Sequence, residues 1–214
     1  MLRDLAGGDG PDRDRALANY ARLAAGYDAT CTHILGLRRD AIASLALRPG
    51  ETVFDVACGT GATLRQLAAC VMPGGRVVGI EQSPEMAAQA LARVQGDAGV
   101  EIVRASVEDF ATEARADAML FSYTHDVLQS PAAIARLRAH ARPGCRVALI
   151  GVRLQPWLWG FAPNLFMLIR ARRYFTTYSG LHAPWALLAK ECPGLAPARH
   201  YHVGTSYLAV GRFA

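Results

Sequence analysis

Short apolar runs rich in β-branched and aromatic residues recur along the 214-residue chain, and between them apolar positions return at helical spacing. The runs read as buried strands. One opens at Val53, and others cover Arg76–Ile80, Glu101–Arg104, Ala116–Ser122 and Cys145–Gly151. Helical spacing predicts helices over Arg13–Ala25, Thr32–Leu47, Ala62–Val71 and Pro131–Ala141, with one more over Trp185–Glu191. Gly7–Pro11 reads as a flexible lead-in. At the far end, Ala198–Val203 and Ser206–Phe213 read as strands, and the short link Gly204-Thr205 makes them a hairpin with an antiparallel final strand. Strands alternating with helices imply a parallel α/β sheet covered on both faces.

The stretch Val53–Gly61, VFDVACGTG, carries the first candidate chemistry. Asp55 stands near the strand's carboxyl end, where open α/β sheets bind ligands. Gly59 and Gly61 lack a Cβ, so the backbone can turn sharply and let a ligand lie against it, with the amides of the following helix aimed back at the turn. A dinucleotide fingerprint would need glycine at position 64, and Leu64 is there. A second acid, Glu81, ends the next strand, and a carboxylate there can accept both hydroxyls of a ribose. Ser83 then reads as a helix N-cap, with Pro84 at the first helical position and Met86 in the first turn.

The pattern Asp-x-x-x-Gly-x-Gly, its continuation GIEQSPEMAAQA and the junction Arg142–Val147 resemble the class I S-adenosylmethionine (SAM)-dependent methyltransferases, of the ubiquinone-biosynthesis and phospholipid N-methyltransferase kind. The resemblance covers nearly the whole chain. It implies a Rossmann-like, seven-stranded, mostly parallel sheet with an antiparallel last strand, helices on both faces and a helical cap. It divides a single domain into a cap over 1–48, a SAM-binding core over 49–152, an acceptor lid over 153–192 and closing strands over 193–214. It also implies a cofactor site made of Tyr27, Asp55, Ala57, Gly59, Gly61, Glu81, Gln82, Met86, Ser106, Val107 and Ser122, with Glu81 on the ribose and Met86 near the adenine. The family usually has an acid where Ser106 stands. The Val107 N–H could then meet the ring, and Glu108 or Asp109 the amino group. The pair Tyr27-Asp28 resembles the family's entry segment, whose tyrosine closes over SAM; a tyrosine that merely caps the core is the competing reading.

In that family the end of the fourth strand faces the transferred methyl group, which puts Tyr123, His125 and Asp126 forward as catalytic candidates. Imidazole can take a proton near neutral pH, and an adjacent carboxylate can support it. Neighbours in sequence need not bond to one another, and Asp126 could instead cap the next helix. Beyond the fifth strand the composition changes to PWLWGFAPNLFMLIRARRYFTTY, interrupted at Pro163-Asn164. One reading is a lid over the acceptor, with Tyr20, Arg153, Trp157, Arg170, Arg173 and Tyr178 as substrate-binding candidates. An interfacial helix facing anionic lipid competes with it.

Charge sharpens this division. Residues 1–126 hold 12 Arg against 17 Asp and Glu, whereas residues 127–214 hold 10 Arg and one Lys against Glu191 alone. The second half is therefore suited to something anionic. Its bases are almost all Arg and form no run with interleaved stacking residues outside the apolar stretch after the fifth strand, so nucleic acid is not expected. The five cysteines lack disulfide or metal-ligand spacing, and no metal is expected. No apolar run is long enough to span a bilayer and no secretory leader is evident, so the expected location is cytoplasmic. The expected reaction is methyl transfer to nitrogen or oxygen of a small, acidic or aromatic metabolite. Methylation of a phospholipid head group is the alternative, and a nicotinamide-dependent oxidoreductase the alternative of another class. Peripheral membrane contact and a homodimer stay open as partners.

Overall fold

The computed structural model describes residues 10–214, so residues 1–9 of the predicted cap and lead-in lie outside the described residues. Seven strands form one sheet in the order β3-β2-β1-β4-β5-β7-β6. They are β1 (Thr52–Val56), β2 (Arg76–Ile80), β3 (Val100–Val103), β4 (Ala116–Ser122), β5 (Ala141–Val152), β6 (Ala196–Tyr201) and β7 (Ser206–Arg212). All neighbours pair in parallel except β7, which runs antiparallel to both β5 and β6. Among the described residues, eight α-helices surround the sheet: α1 (Arg13–Leu23), α2 (Tyr27–Thr30), α3 (Leu35–Ser44), α4 (Leu64–Val71), α5 (Pro84–Arg93), α6 (His125–Leu128), α7 (Pro131–His140) and α8 (Trp157–Ala171).

Alternation along the strands sorts side chains into two cores. Phe54, Val56, Val78 and Ile80 face one side, under α7 and the chain around Leu188 and Cys192. Val53 and Val77 face the other, against Leu37 and Ala41 of α3, Leu64 and Leu67 of α4 and Ala90 of α5. A small third cluster of Leu154, Met167, Leu168, Phe175 and Leu181 lies beneath α8. Both faces of the sheet are thus buried, as a parallel sheet requires.

Several predicted boundaries change, each for a local reason. The first helix stops at Leu23 and continues as a 3-10 turn and α2, while the second is α3 preceded by a 3-10 turn over Thr32–Ile34. β5 starts four residues early, at Ala141, because that residue pairs with Ala116 before a bulge restores register at Arg146. Pro163 does not interrupt the lid: α8 runs through it. The buried Asn164 side chain accepts from the Gln155 backbone N–H at 2.8 Å and donates to its carbonyl at 2.9 Å, fixing the segment that enters the helix. Trp185–Glu191 is not a helix but a series of turns ending in a 3-10 turn over Leu188–Lys190, confined between Pro184 and Pro193. The closing hairpin also has a longer link than Gly204-Thr205, since β6 ends at Tyr201 and a 3-10 turn covers His202–Gly204.

Candidate active site

The carboxyl ends of β1, β2, β3 and β4 open onto a cavity of about 210 Å³. Its wall includes Tyr27, Ala57, Gly59, Glu81, Gln82, Met86, Ser106, Val107 and Ser122 of the predicted cofactor set. The remaining two, Asp55 and Gly61, do not line it, because both face inward. Asp55 is buried at the end of β1, where its carboxylate accepts the Thr63 hydroxyl. Burial pushes its pKa up to about 6 against the opposing effects of Thr63 and Arg38. Gly61, at φ 75°, sits so close to α4 and α5 that a Cβ would stand 2.7 Å from Leu64 Cδ1 and 3.1 Å from Ala90 Cα. These two residues shape the turn from behind.

Gly59 plays the other part. At φ 57° it has nothing within 4 Å of a hypothetical Cβ, so its backbone is open on the cavity side. Its N–H donates to one oxygen of Glu81 at 2.8 Å, and the Ser83 N–H donates to the other at 2.8 Å. Each carboxylate oxygen keeps a lone pair for a further donor. Burial raises the Glu81 pKa, and these backbone N–H groups oppose the rise. Ser83 caps α5 from the same bend, accepting from the Met86 N–H, and Met86 is packed into the wall.

Ser106, Glu108 and Asp109 form a small polar network on one side of the cavity. Ser106 Oγ donates to Asp109 at 2.7 Å and accepts from the Asp109 N–H at 3.2 Å. Asp109 also meets Arg13 at 3.2 Å, while Glu108 accepts the Ser130 hydroxyl at 2.6 Å. Both acids line the cavity but already have partners.

At the opposite end, consecutive residues after β4 hold buried polar atoms without a well-formed hydrogen bond: Tyr123 Oη, with Ser206 nearby, Thr124 Oγ1, and both ring nitrogens of His125, with the Ser179 backbone nearby. All of these residues line the cavity. Buried polar groups left unpaired are costly, so their clustering marks a place for a ligand. Burial pushes the His125 pKa down to about 4, and its ring packs against Phe175 at 5.2 Å. Burial also raises Tyr123, to about 12. Asp126 does not support His125: its carboxylate accepts the Thr176 hydroxyl at 2.5 Å and the Thr176 N–H at 3.2 Å, anchoring the chain that follows α8.

A second cavity of about 570 Å³ lies between the N-terminal helices, α8 and the turn before β7. Tyr20, Tyr27, Tyr123 and Tyr174 line both cavities and form their common wall. The Tyr27 ring stands edge-on to Tyr20 and to Tyr174, with centroids 6.1 and 6.0 Å away. Burial raises the pKa of both Tyr20 and Tyr27, which keeps their hydroxyls neutral. Most other lining residues are apolar, among them Ile34, Val152, Phe166, Met167 and Phe175.

The substrate-binding candidates divide here. Tyr20, Arg170 and Arg173 line the second cavity. Trp157, Arg153 and Tyr178 line neither. Trp157 is on the exposed face of α8, Tyr178 packs edge-on against Phe175, and the Arg153 guanidinium lies over the Trp185 ring at 5.9 Å. Arg38 and Tyr174 were missed. Arg38 is buried and reaches from α3 to donate to Ser122 Oγ at 3.3 Å, beside Asp55 and Tyr123. No local pattern distinguishes it from Arg39. Tyr174 sat in the lid stretch, hidden among other aromatics. Among the described residues, no His, Cys, Asp and Glu cluster is suited to a metal ion.

Residues 53–144 match the family described as a methyltransferase domain. Nocamycin O-methyltransferase of Saccharothrix syringae is 33% identical over 152 residues, 67% of this chain and 54% of that protein. The 2-phytyl-1,4-naphthoquinone methyltransferase of Synechococcus elongatus is 29% identical over 126 residues, 53% of this chain and 51% of that protein. An uncharacterized protein of transposon TN4556 from Streptomyces fradiae is 36% identical over 112 residues, 50% of this chain and 31% of that protein. The chain thus spans from about a third to about half of these relatives' length. Its fold matches that of the N-methyltransferase NodS of Bradyrhizobium japonicum bound to S-adenosyl-L-homocysteine, with TM-score 0.68 at 14% identity over 93% of this chain and 98% of that one. Geranyl diphosphate C-methyltransferase of Streptomyces coelicolor gives TM-score 0.62 at 15% identity over 84% and 79%.

Proposed function

We propose that the chain is a class I SAM-dependent methyltransferase that methylates a hydroxyl oxygen of an apolar small molecule. The observation that carries this reading is the pair of cavities joined by four tyrosines, one with nucleoside-type polar groups and the other with apolar walls. The first suits SAM. Glu81 has one lone pair on each oxygen for the ribose, Gly59 leaves its backbone open, Tyr123 and Thr124 offer polar atoms to the amino-acid part, and His125 offers its ring to the reacting centre. SAM supplies an electrophilic methyl group on a sulfonium, which takes the C–S bonding pair as the acceptor oxygen forms its new bond to carbon.

The chain's own part is alignment, exclusion of water and proton handling. The tyrosine wall presents aromatic rings beside the place a sulfonium cation would occupy. His125, neutral at ordinary pH, accepts a hydrogen bond from the acceptor hydroxyl and orients its lone pair; at a pKa of about 4 it is too weak to ionise the hydroxyl beforehand, so it takes the proton as the C–O bond forms and the oxygen becomes strongly acidic. Arg170 and Arg173, on the wall of the second cavity, suit an anionic edge on an otherwise apolar acceptor. The names of the nocamycin and phytyl-naphthoquinone enzymes favour an organic acceptor of this size over a protein or nucleic acid.

Incubation with methyl-labelled SAM and a fractionated metabolite extract tests the proposal. Label should pass to an organic-soluble product carrying a new methoxy group. Label found only in water-soluble amines would overturn the assignment to an apolar hydroxyl.

A further inference from the structure

The mouth of the second cavity is flanked by apolar surface that the fold leaves in water. Along α8, Leu158 is 89% exposed, Trp159 69%, Phe161 62% and Phe166 64%, and no charged residue occurs in this helix before Arg170. Scattered exposed leucines need no explanation, but a helix face of this kind does. On the other side of the mouth Val203 is 84% exposed at φ 55°. A β-branched residue in the left-handed region is strained, and here the strain is held in place: Gln155 Nε2 donates to the Val203 carbonyl at 2.8 Å. Phe166 and Val203 both line the cavity, so its entrance is apolar on two sides.

The charged residues that follow the apolar stretch, Arg170, Arg172 and Arg173, are all basic, and the His33 and His202 rings lie 6.0 Å apart beside the Val203 turn, where Asp40 accepts the Tyr201 hydroxyl. Between Asp126 and the chain end the only acid is Glu191. An apolar helix face with indole rings and a trailing basic cluster has the chemistry of an interfacial helix, and among the described residues no helix is long and apolar enough to cross a membrane. We infer that α8 and the Val203 turn dock on an anionic lipid surface, with Leu158, Trp159, Phe161 and Val203 entering the head-group region. The apolar acceptor then enters the second cavity directly from the lipid. The inference rests on the reading of that cavity as an acceptor site, and it adds the source of the acceptor.

Co-sedimentation of the full chain with vesicles tests it, using phosphatidylcholine alone and phosphatidylcholine mixed with phosphatidylglycerol. The chain should sediment with the mixed vesicles and far less with the neutral ones. Leu158→Asp and Trp159→Asp, neither of which lines a cavity, should weaken vesicle binding about tenfold or more. Arg172→Glu should weaken it at least about fivefold, and added salt should reduce the difference from wild type. Calorimetric titration with SAM on the same proteins should be unchanged. If SAM binds and neither vesicle does, or if Leu158→Asp leaves vesicle binding intact, the docking surface is overturned while the methyltransferase reading stands. If light scattering instead shows a dimer that Leu158→Asp splits, with no vesicle binding, the face belongs to a second copy and the inference fails. Loss of SAM binding in the wild-type chain would strike the proposed function itself.

Discussion

The Asp28 carboxylate accepts the Thr60 hydroxyl at 2.6 Å and the Arg93 guanidinium as well, so one side chain ties the N-terminal helices to the glycine turn and to α5. Tyr27, its neighbour, is thereby held in the wall between the two cavities. Burial pushes the Asp28 pKa up, but Thr60 and Arg93 together outweigh it and leave the carboxyl below its ordinary value. Its stabilising share is present above the unfolded value of 3.8 and is lost as pH falls through the lower folded one. Asp28→Ala should lower stability by about 1–2 kcal/mol and weaken SAM binding about tenfold, measured by denaturant melts and calorimetry.

The two turn glycines should fail differently. At Gly61 an added Cβ meets Leu64 and the Ala90 backbone in a left-handed conformation, so Gly61→Ala should cost about 2–3 kcal/mol of stability. At Gly59 the space is open, so Gly59→Ala should lose only about 1 kcal/mol, yet bind SAM at least about tenfold more weakly because the methyl group occupies the ligand's side. Thermal melts paired with calorimetry separate the two effects.

This contrast shows how much could be read from sequence. Val53–Gly61, Glu81 and the Ser83-Pro84 cap were legible because strand, turn and N-cap are each specified within a few residues. Arg38, Thr60 and Tyr174 were not, since what makes them matter is contact with residues far along the chain. Pro163 misled as a breaker because Asn164 binds the Gln155 backbone ahead of the helix. Apolar spacing at Trp185–Glu191 suggested a helix, but there it serves turns whose Leu188 and Cys192 fill the core. Whether Asp126 supports His125 or serves the backbone was open from sequence, and contact with the distant Thr176, which claims the carboxylate, decides it.

Asp55 carries a pH signature of its own. Burial raises its folded pKa to about 6 from 3.8, so the folded state takes up a proton first and this residue adds stability as pH falls from about 6 towards 3.8. Above that window its buried charge opposes folding. Asp55→Asn keeps an acceptor for Thr63 and removes the charge; its melting temperature at neutral pH should equal or exceed wild type, with a flatter dependence on acidification.

His125 has the opposite sign. Its folded pKa of about 4 lies below the ordinary 6.5, so the unfolded chain binds the proton first and stability is lost as pH falls from 6.5 towards 4. The rate profile should therefore show no inflection from this group near 6.5. His125→Ala should lower kcat/KM about ten- to a hundredfold with SAM affinity nearly kept. An unchanged kcat/KM at every pH would remove His125 from the reaction.

The central claim is that the cavity beside Glu81 and Gly59 holds SAM, and calorimetric titration of the wild-type chain with SAM, S-adenosyl-L-homocysteine and NAD tests it most directly. The account predicts saturable one-site binding of SAM and S-adenosyl-L-homocysteine, lost in Glu81→Ala, and no heat from NAD. Tight binding of NAD with no response to the other two would contradict it.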